Sequence, residues 1–207
     1  MIQDQSLQQF LDDLASKSAT PGGGSVAAIM GAMGAALVSM VANLTVGKKS
    51  YEMVEPEMRA ALARAEELRA KATDLIRADI EAFDRVMAAY ALSRDTEEQK
   101  AARGAAIQEA LKAATEVPLI CAALCTEIIA LSQAVAEKGN RNVVSDAGVA
   151  VMAAYAALKS AALNVYVNAK SLKDESFAQD RLDRVEQLLA QGERDVAAIF
   201  EMVKARL

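Results

Sequence analysis

Asp79 is a carboxylate set in an apolar stripe. On the helical pattern that runs on from Pro56, three- and four-residue steps give Leu68, Ala72, Leu75, Asp79, Phe83, Val86 and Tyr90. Asp74, Glu81 and Asp84 fall on other faces, where water can solvate them. A carboxylate on a core face costs on the order of several kcal/mol unless it is paired or protonated. Asp79 therefore reads as a general base, as an anion facing a cationic substrate, or as half of a buried ion pair with a structural lysine. The chain has no histidine. That removes the commonest general base and every Ser-His or Cys-His pair, so acid–base chemistry falls to Asp, Glu, Lys, Tyr or water.

A second candidate is the run Pro21-Gly22-Gly23-Gly24-Ser25-Val26-Ala27, which leads into a segment without charge up to Lys48 and Lys49. Gly22 to Ala27 fits the letters of a dinucleotide fingerprint, but that motif needs a preceding strand and a βαβ unit. Gly47-Lys48-Lys49-Ser50 resembles half of a phosphate loop, with its first glycine misplaced and no Ser or Thr directly after Gly-Lys. What survives is a glycine-rich helix start. Its free N–H groups and partial positive charge suit a carboxylate or carbonyl oxygen, and the same glycines also suit a tight packing turn. Lys48, Lys49 and Tyr51 stand at the far end of that helix.

The turn Gly139-Asn140-Arg141-Asn142-Val143-Val144-Ser145-Asp146 is a third. Ser145 is expected to cap the next helix, with Asp146 in its first turn; a contact from Asn140 or Asp146 to a polar ring would add function. Asn164 and Asn168 lie one turn apart in an apolar helix and call for interhelical hydrogen bonds. Cys121 and Cys125 are poorly placed for a disulfide at helical spacing, and no histidine or further cysteine completes a zinc site, so no metal centre is expected.

The elements that must hold these groups all read as helices. The periodicity predicts a short amphipathic helix over Ser6 to Ala15, a helix from Gly24 or Ser25 to about Val46, and one from Pro56 to about Leu92. Asp95 or Thr96 starts another that runs to about Thr115. Pro118 opens a separate helix to Lys138, Ser145 one to about Leu172, and Ser176 a last one to about Arg206. No strand alternation or repeat interrupts the pattern. The expected architecture is a single all-α domain over residues 1–207, a multihelical bundle of long helices around a buried central helix of small residues. Gly22 to Gly47 is long enough to cross a membrane, but its Ala, Gly, Ser39, Asn43 and Thr45 favour a bundle core. A helix covered on every side in a chain of 207 residues calls for a second subunit, so a homodimer is expected.

Composition narrows the partners. A net charge of −5 opposes nonspecific nucleic-acid binding. The start Met-Ile-Gln-Asp-Gln-Ser lacks the basic and apolar run of a signal peptide, and the cysteine usage suits a reducing compartment, so a cytoplasmic protein without membrane insertion is expected. A non-catalytic helical interaction module and a small membrane protein remain as competing classes. Asp79 in its apolar stripe favours an enzyme, since a scaffold has no need of it.

Several blocks together resemble a known family. They are Pro21 to Ala28, Leu44-Thr45-Val46-Gly47-Lys48-Lys49, Asp79 to Phe83, Gly139-Asn140-Arg141-Asn142 and Ser145-Asp146-Ala147-Gly148-Val149-Ala150. In order and spacing they resemble the formiminotetrahydrofolate cyclodeaminase and methenyltetrahydrofolate cyclohydrolase family, in its stand-alone bacterial form. The resemblance implies an all-helical homodimer acting on a folate-bound one-carbon unit, with the folate as substrate and no cofactor. Cyclohydrolase would convert 5,10-methenyltetrahydrofolate to 10-formyltetrahydrofolate; cyclodeaminase would close 5-formiminotetrahydrofolate to the methenyl form and release ammonia. Asp79 would be the base, Lys49 a proton donor and Tyr51 its assistant. Gly22, Gly23, Gly24 and Ser25 would hold the pterin or its amide, with Phe83, Asn140, Ser145 and Asp146 at the substrate. Lys48 or Arg141 would meet the glutamate tail. Because the charge-free helix spans about 30 Å, antiparallel copies would bring the glycine turn of one subunit towards Lys49 of the other.

Overall fold

The computed structural model describes residues 5–207; the first four residues, and with them most of the N-terminal segment judged above for a signal peptide, lie outside the described part. The described residues form six α-helices: α1 (Leu7–Leu14), α2 (Gly23–Asn43), α3 (Glu55–Tyr90), α4 (Glu97–Lys138), α5 (Val144–Ala169) and α6 (Glu175–Lys204). Two single 3₁₀ segments, Lys49–Val54 and Arg141–Val143, lead into α3 and α5. The helices start where the sequence supplies caps. Ser6 accepts from the Gln9 N–H, Thr96 and Gln99 form a reciprocal capping box, and Asp174 accepts from the Phe177 N–H. Gly47, the one described residue with positive φ, turns the chain after α2, and its N–H donates to Glu55.

α2 lies at the centre, against α3, α4 and α5. Its inner face carries Ala27, Ala28, Gly31, Gly34, Ala35, Val38 and Ala42, all buried. Small residues bring the backbones close: a Cβ at Gly34 would stand 3.1 Å from the Ala150 carbonyl of α5. The remaining core comes from α3 (Leu68, Ala72, Leu75), α4 (Ile128, Ile129), α5 (Val151, Leu158, Val165) and the inner face of α6 (Val185, Ile199). Most charged residues of α6 face outward, while Arg181 is half-buried and pairs with Glu116 of α4 at 2.6 Å.

Two expectations need correction. The break at Pro118 does not occur: α4 runs unbroken through it for 42 residues. Proline has no N–H to donate to the carbonyl four residues back, which is Ala114. The Asn168 amide of α5 donates to that carbonyl at 2.8 Å, which satisfies the group the proline leaves open. Ser145 does not cap α5. The Arg141–Val143 segment already winds the chain, Asn140 caps that segment through the Asn142 N–H, and Ser145 lies inside the helix with no capping bond.

α2 is apolar all round, and the other described helices leave part of it uncovered, as the expectation of a second subunit requires of a single chain. Met33 is 58% exposed, Leu44 is also exposed, and Met30, Leu37 and Met40 are half-buried. α5 likewise leaves Val149, Met152, Leu163 and Val167 open to solvent. By length and composition alone α2, α4 and the stretch 141–169 could each cross a bilayer; here they pack against one another.

Candidate active site

α3 projects Asp79 towards the first turn of α2. The Ser25 hydroxyl donates to Asp79 Oδ2 at 2.9 Å. Gly22, the N-cap of α2, has no side chain to offer, so a carboxylate from the neighbouring helix stands at the positive end of α2 in its place. The approach is close enough to dictate the residue at position 24, where an added Cβ would lie 2.0 Å from Asp79 Oδ1. Gly24 is thus a packing requirement of the carboxylate. The free helix start expected for a ligand is met by the protein's own Asp79.

No cation pairs with Asp79 among the described residues, so the structural-lysine reading finds no support. Burial pushes its pKa above the usual carboxylate value; hydrogen bonding from the Ser25 hydroxyl and backbone N–H offsets this in part. The carboxylate lines an open cavity of about 180 Å³ with Ala82, Phe83, Val86, Ala114, Asn164 and Asn168. Behind it lies a void of about 10 Å³ walled by Gly24, Ala27, Ala28, Leu75, Pro118 and Cys121. Phe83 is part-exposed at 37% and lines the same cavity as a flat apolar surface. The arrangement is a perturbed carboxylate, a ring face and two amides around one opening, with no cationic side chain in its wall.

The remaining predicted residues gather at the other end of α2. The Thr45 hydroxyl donates to the Val41 carbonyl and accepts from the Asn140 N–H. Asn140 donates through Nδ2 to the Leu44 carbonyl at 2.9 Å and accepts from the Asn142 N–H through Oδ1 at 3.1 Å. Its amide is therefore occupied within the chain and only 4% exposed, closing the C-terminus of α2 rather than offering an edge to a ligand. Tyr51 accepts from the Arg141 N–H at 3.0 Å, which docks the Lys49–Val54 segment on this turn. Lys48, Lys49 and Arg141 are exposed beside it and form no ion pair among the described residues. Asp146 is half-buried in the first turn of α5, and Ser145 faces an apolar groove between α5 and α6.

The structure thus brings Gly22, Gly23, Gly24, Ser25, Asp79 and Phe83 together. It brings Lys49, Tyr51, Asn140 and Arg141 together separately. The two groups are held apart by the 21 residues of α2, about 30 Å at the helical rise. The sequence calls for interhelical hydrogen bonds from Asn164 and Asn168, but Asn164 donates within α5, to the Ser160 carbonyl. Asn168 makes one, and both also line the Asp79 cavity. Their signal was a pair of amides on one face of an apolar helix, with nothing in the sequence to say which helix, or which opening, that face meets.

The comparisons with known proteins agree with one another. The family described as Formiminotransferase-cyclodeaminase matches residues 6–187. A methenyltetrahydrofolate cyclohydrolase of Methylorubrum extorquens is 57% identical over 207 residues, covering the whole of both chains. A formimidoyltransferase-cyclodeaminase of Rattus norvegicus is 34% identical over 203 residues, which are 98% of this chain but 38% of that longer protein. Among solved structures, a formiminotetrahydrofolate cyclodeaminase from Thermotoga maritima superposes with a TM-score of 0.89 at 36% identity, over 99% of this chain and 98% of the other.

Proposed function

The chain belongs to the formiminotransferase-cyclodeaminase family, and from that premise we propose that it hydrolyses 5,10-methenyltetrahydrofolate to 10-formyltetrahydrofolate in one-carbon metabolism. The observation that carries this choice of reaction is the 57% identity, end to end, with the M. extorquens cyclohydrolase.

The chemistry fits the site. The methenyl carbon sits between N5 and N10 in a cationic amidinium and is already electrophilic, so the reaction needs no metal to activate it. A water oxygen adds to that carbon, and its proton passes to the Asp79 carboxylate. The resulting hydroxy-aminal loses its remaining hydroxyl proton as the bond to N5 breaks; N5 takes up a proton, and the formyl group stays on N10. The net yield is one product and one proton. The Asp79 carboxylate serves as base for the water and as counter-charge for the amidinium. A half-buried carboxylate with a raised pKa is a better base than an exposed one. Phe83 offers a face for the pterin to stack on.

The proton donor in this reading is Lys49, with Tyr51 holding its segment in place. In one chain Lys49 stands at the wrong end of α2, so the complete site joins Asp79 of one copy to Lys49 of a second. A homodimer is supported by the uncovered apolar stripe of α2 and by that of α5, which is exposed at Val149, Met152, Leu163 and Val167. Lys48 or Arg141 then meets the glutamate tail. Two free, buried cysteines suit a cytoplasmic location.

A second reading is the ring closure of 5-formiminotetrahydrofolate with loss of ammonia. It is favoured by the 36% identity and 0.89 TM-score with the T. maritima cyclodeaminase. Both reactions pass through a tetrahedral carbon between N5 and N10, so one preparation decides between them. Loss of the methenyl chromophore is followed at a pH where spontaneous hydrolysis is slow, alongside ammonia release from the formimino compound. Faster methenyl hydrolysis is expected. Folded protein that accelerates only ammonia release replaces the first reading by the second; protein that accelerates neither removes both.

A further inference from the structure

The Asp79 cavity contains two acceptors that the reaction described above does not use. Asn164 Nδ2 donates to the Ser160 carbonyl at 2.9 Å, and Asn168 Nδ2 donates to the Ala114 carbonyl at 2.8 Å. A carbonyl can only accept, so each bond fixes which way round its amide stands. Each Oδ1 is left without a donor among the described residues, and neither is sealed from solvent. The two side chains are one helical turn apart on α5, about 5–6 Å between Cβ atoms, and both line the opening that Asp79 lines. Gly23 closes the same side, where an added Cβ would come to 3.9 Å from Asn164 Nδ2.

We propose that Asn164 and Asn168 form a fixed acceptor pair that reads the N–H donors of the substrate's 2-amino-pyrimidine ring, so that they set specificity for the pterin rather than take part in the bond changes. The proposal rests on the folate reading above. The wall of this cavity offers a carboxylate, two amide oxygens and apolar surface, with no cation. Such a wall favours a flat ring rich in N–H donors and disfavours phosphates and other anions. The reduced pterin carries its donors on the exocyclic 2-amino group and on ring nitrogens, and a ring stacked on Phe83 would present its edge to α5. Asn164 is the cleaner reporter of the pair. Its amide bonds only a carbonyl of its own helix, whereas Asn168 also completes the α4 backbone at Pro118.

The test is a cycle between protein and ligand. The turnover of 5,10-methenyltetrahydrofolate and of its 2-desamino-2-methyl analogue is measured with the wild type and Asn164→Ala. The wild type is expected to prefer the amino substrate about tenfold or more in kcat/KM, the scale of one neutral hydrogen bond. Asn164→Ala should lose most of that preference, with the change in KM and kcat nearly constant. An unchanged preference in Asn164→Ala overturns the proposal while leaving the folate reading in place. A wild type inactive on both compounds overturns the two together.

Discussion

Substituting Gly24 by alanine should separate activity from stability. The added Cβ would stand 2.0 Å from Asp79 Oδ1 and 2.5 Å from its Cγ. Ordinary contact distances for such atoms begin above about 3 Å, so the carboxylate has to retreat by roughly 1 Å. Asp has a short side chain, and the turn of α3 that carries it is packed by Leu75 and Ala82, so the retreat comes from rotating the carboxylate off Ser25. A displacement of that size at a catalytic group costs about 10²-fold in rate, or close to 3 kcal/mol in the barrier.

The stability terms oppose one another. Loss of the Ser25 bond to a charged group costs about 1.5–3 kcal/mol at most. Alanine regains up to about 1 kcal/mol of helix propensity over glycine, and moving the carboxylate towards water relieves its desolvation. The melting temperature should therefore move by no more than about 2–8 °C for a chain of this size, while kcat/KM for methenyltetrahydrofolate falls about 10²-fold. The assay is the decay of the methenyl absorbance beside a thermal melt of the same sample. Full activity in a folded Gly24→Ala protein would refute the placement of Asp79 as the base.

Other outcomes follow from the same geometry. Asp79→Asn should lower kcat by about 10²- to 10⁴-fold, the range for removing a general base. The native state binds the Asp79 proton more tightly than the unfolded chain does, so this group's stabilisation is complete below its unfolded pKa and is lost as pH rises through the raised native value. The Asn variant should accordingly melt higher than wild type at neutral pH, with the gap closing in acid; a gap that widens in acid contradicts the direction of the shift. Asn168→Ala leaves the Ala114 carbonyl unpaired and should cost about 1–3 kcal/mol. That loss should shrink in a Pro118→Ala background, where a new backbone N–H reaches the same carbonyl; additive denaturation midpoints would contradict it. If Asp79 and Lys49 act across a dimer, inactive Asp79→Asn and Lys49→Met proteins, unfolded and refolded as a mixture, should regain about a quarter of wild-type activity. Half the dimers would then be mixed, each with one intact site, and recovery of nothing would remove Lys49 from the Asp79 site.

The sequence alone carried the helical class and most helix limits, because caps and periodicity are local. Thr96 with Gln99 and the stripe through Asp79 are of that kind. The misreadings share a different origin. Pro118 breaks a helix by every local rule, and what allows α4 to continue is an amide fifty positions later, at Asn168. Gly24 reads equally as a ligand's glycine or a packing glycine, because nothing near it in the chain announces that Asp79 stands above it. The inner face of α2 was legible from its small residues, but whether its outer face is covered depends on how many helices the chain has to lay over it.

Pro118 also has a chemical consequence for the opening it stands behind. An asparagine amide is nearly symmetrical in shape, so a side chain with no fixed partner can present oxygen or nitrogen to a ligand with similar ease. In an ordinary helix the Ala114 carbonyl would be satisfied by the backbone, and Asn168 would keep that ambiguity. By withholding one N–H from α4, the proline ties down the nitrogen of Asn168 and leaves its oxygen as the group on offer. A gap in one helix's backbone ladder is thus converted into a sign, acceptor rather than donor, on the wall of a cavity formed with its neighbour.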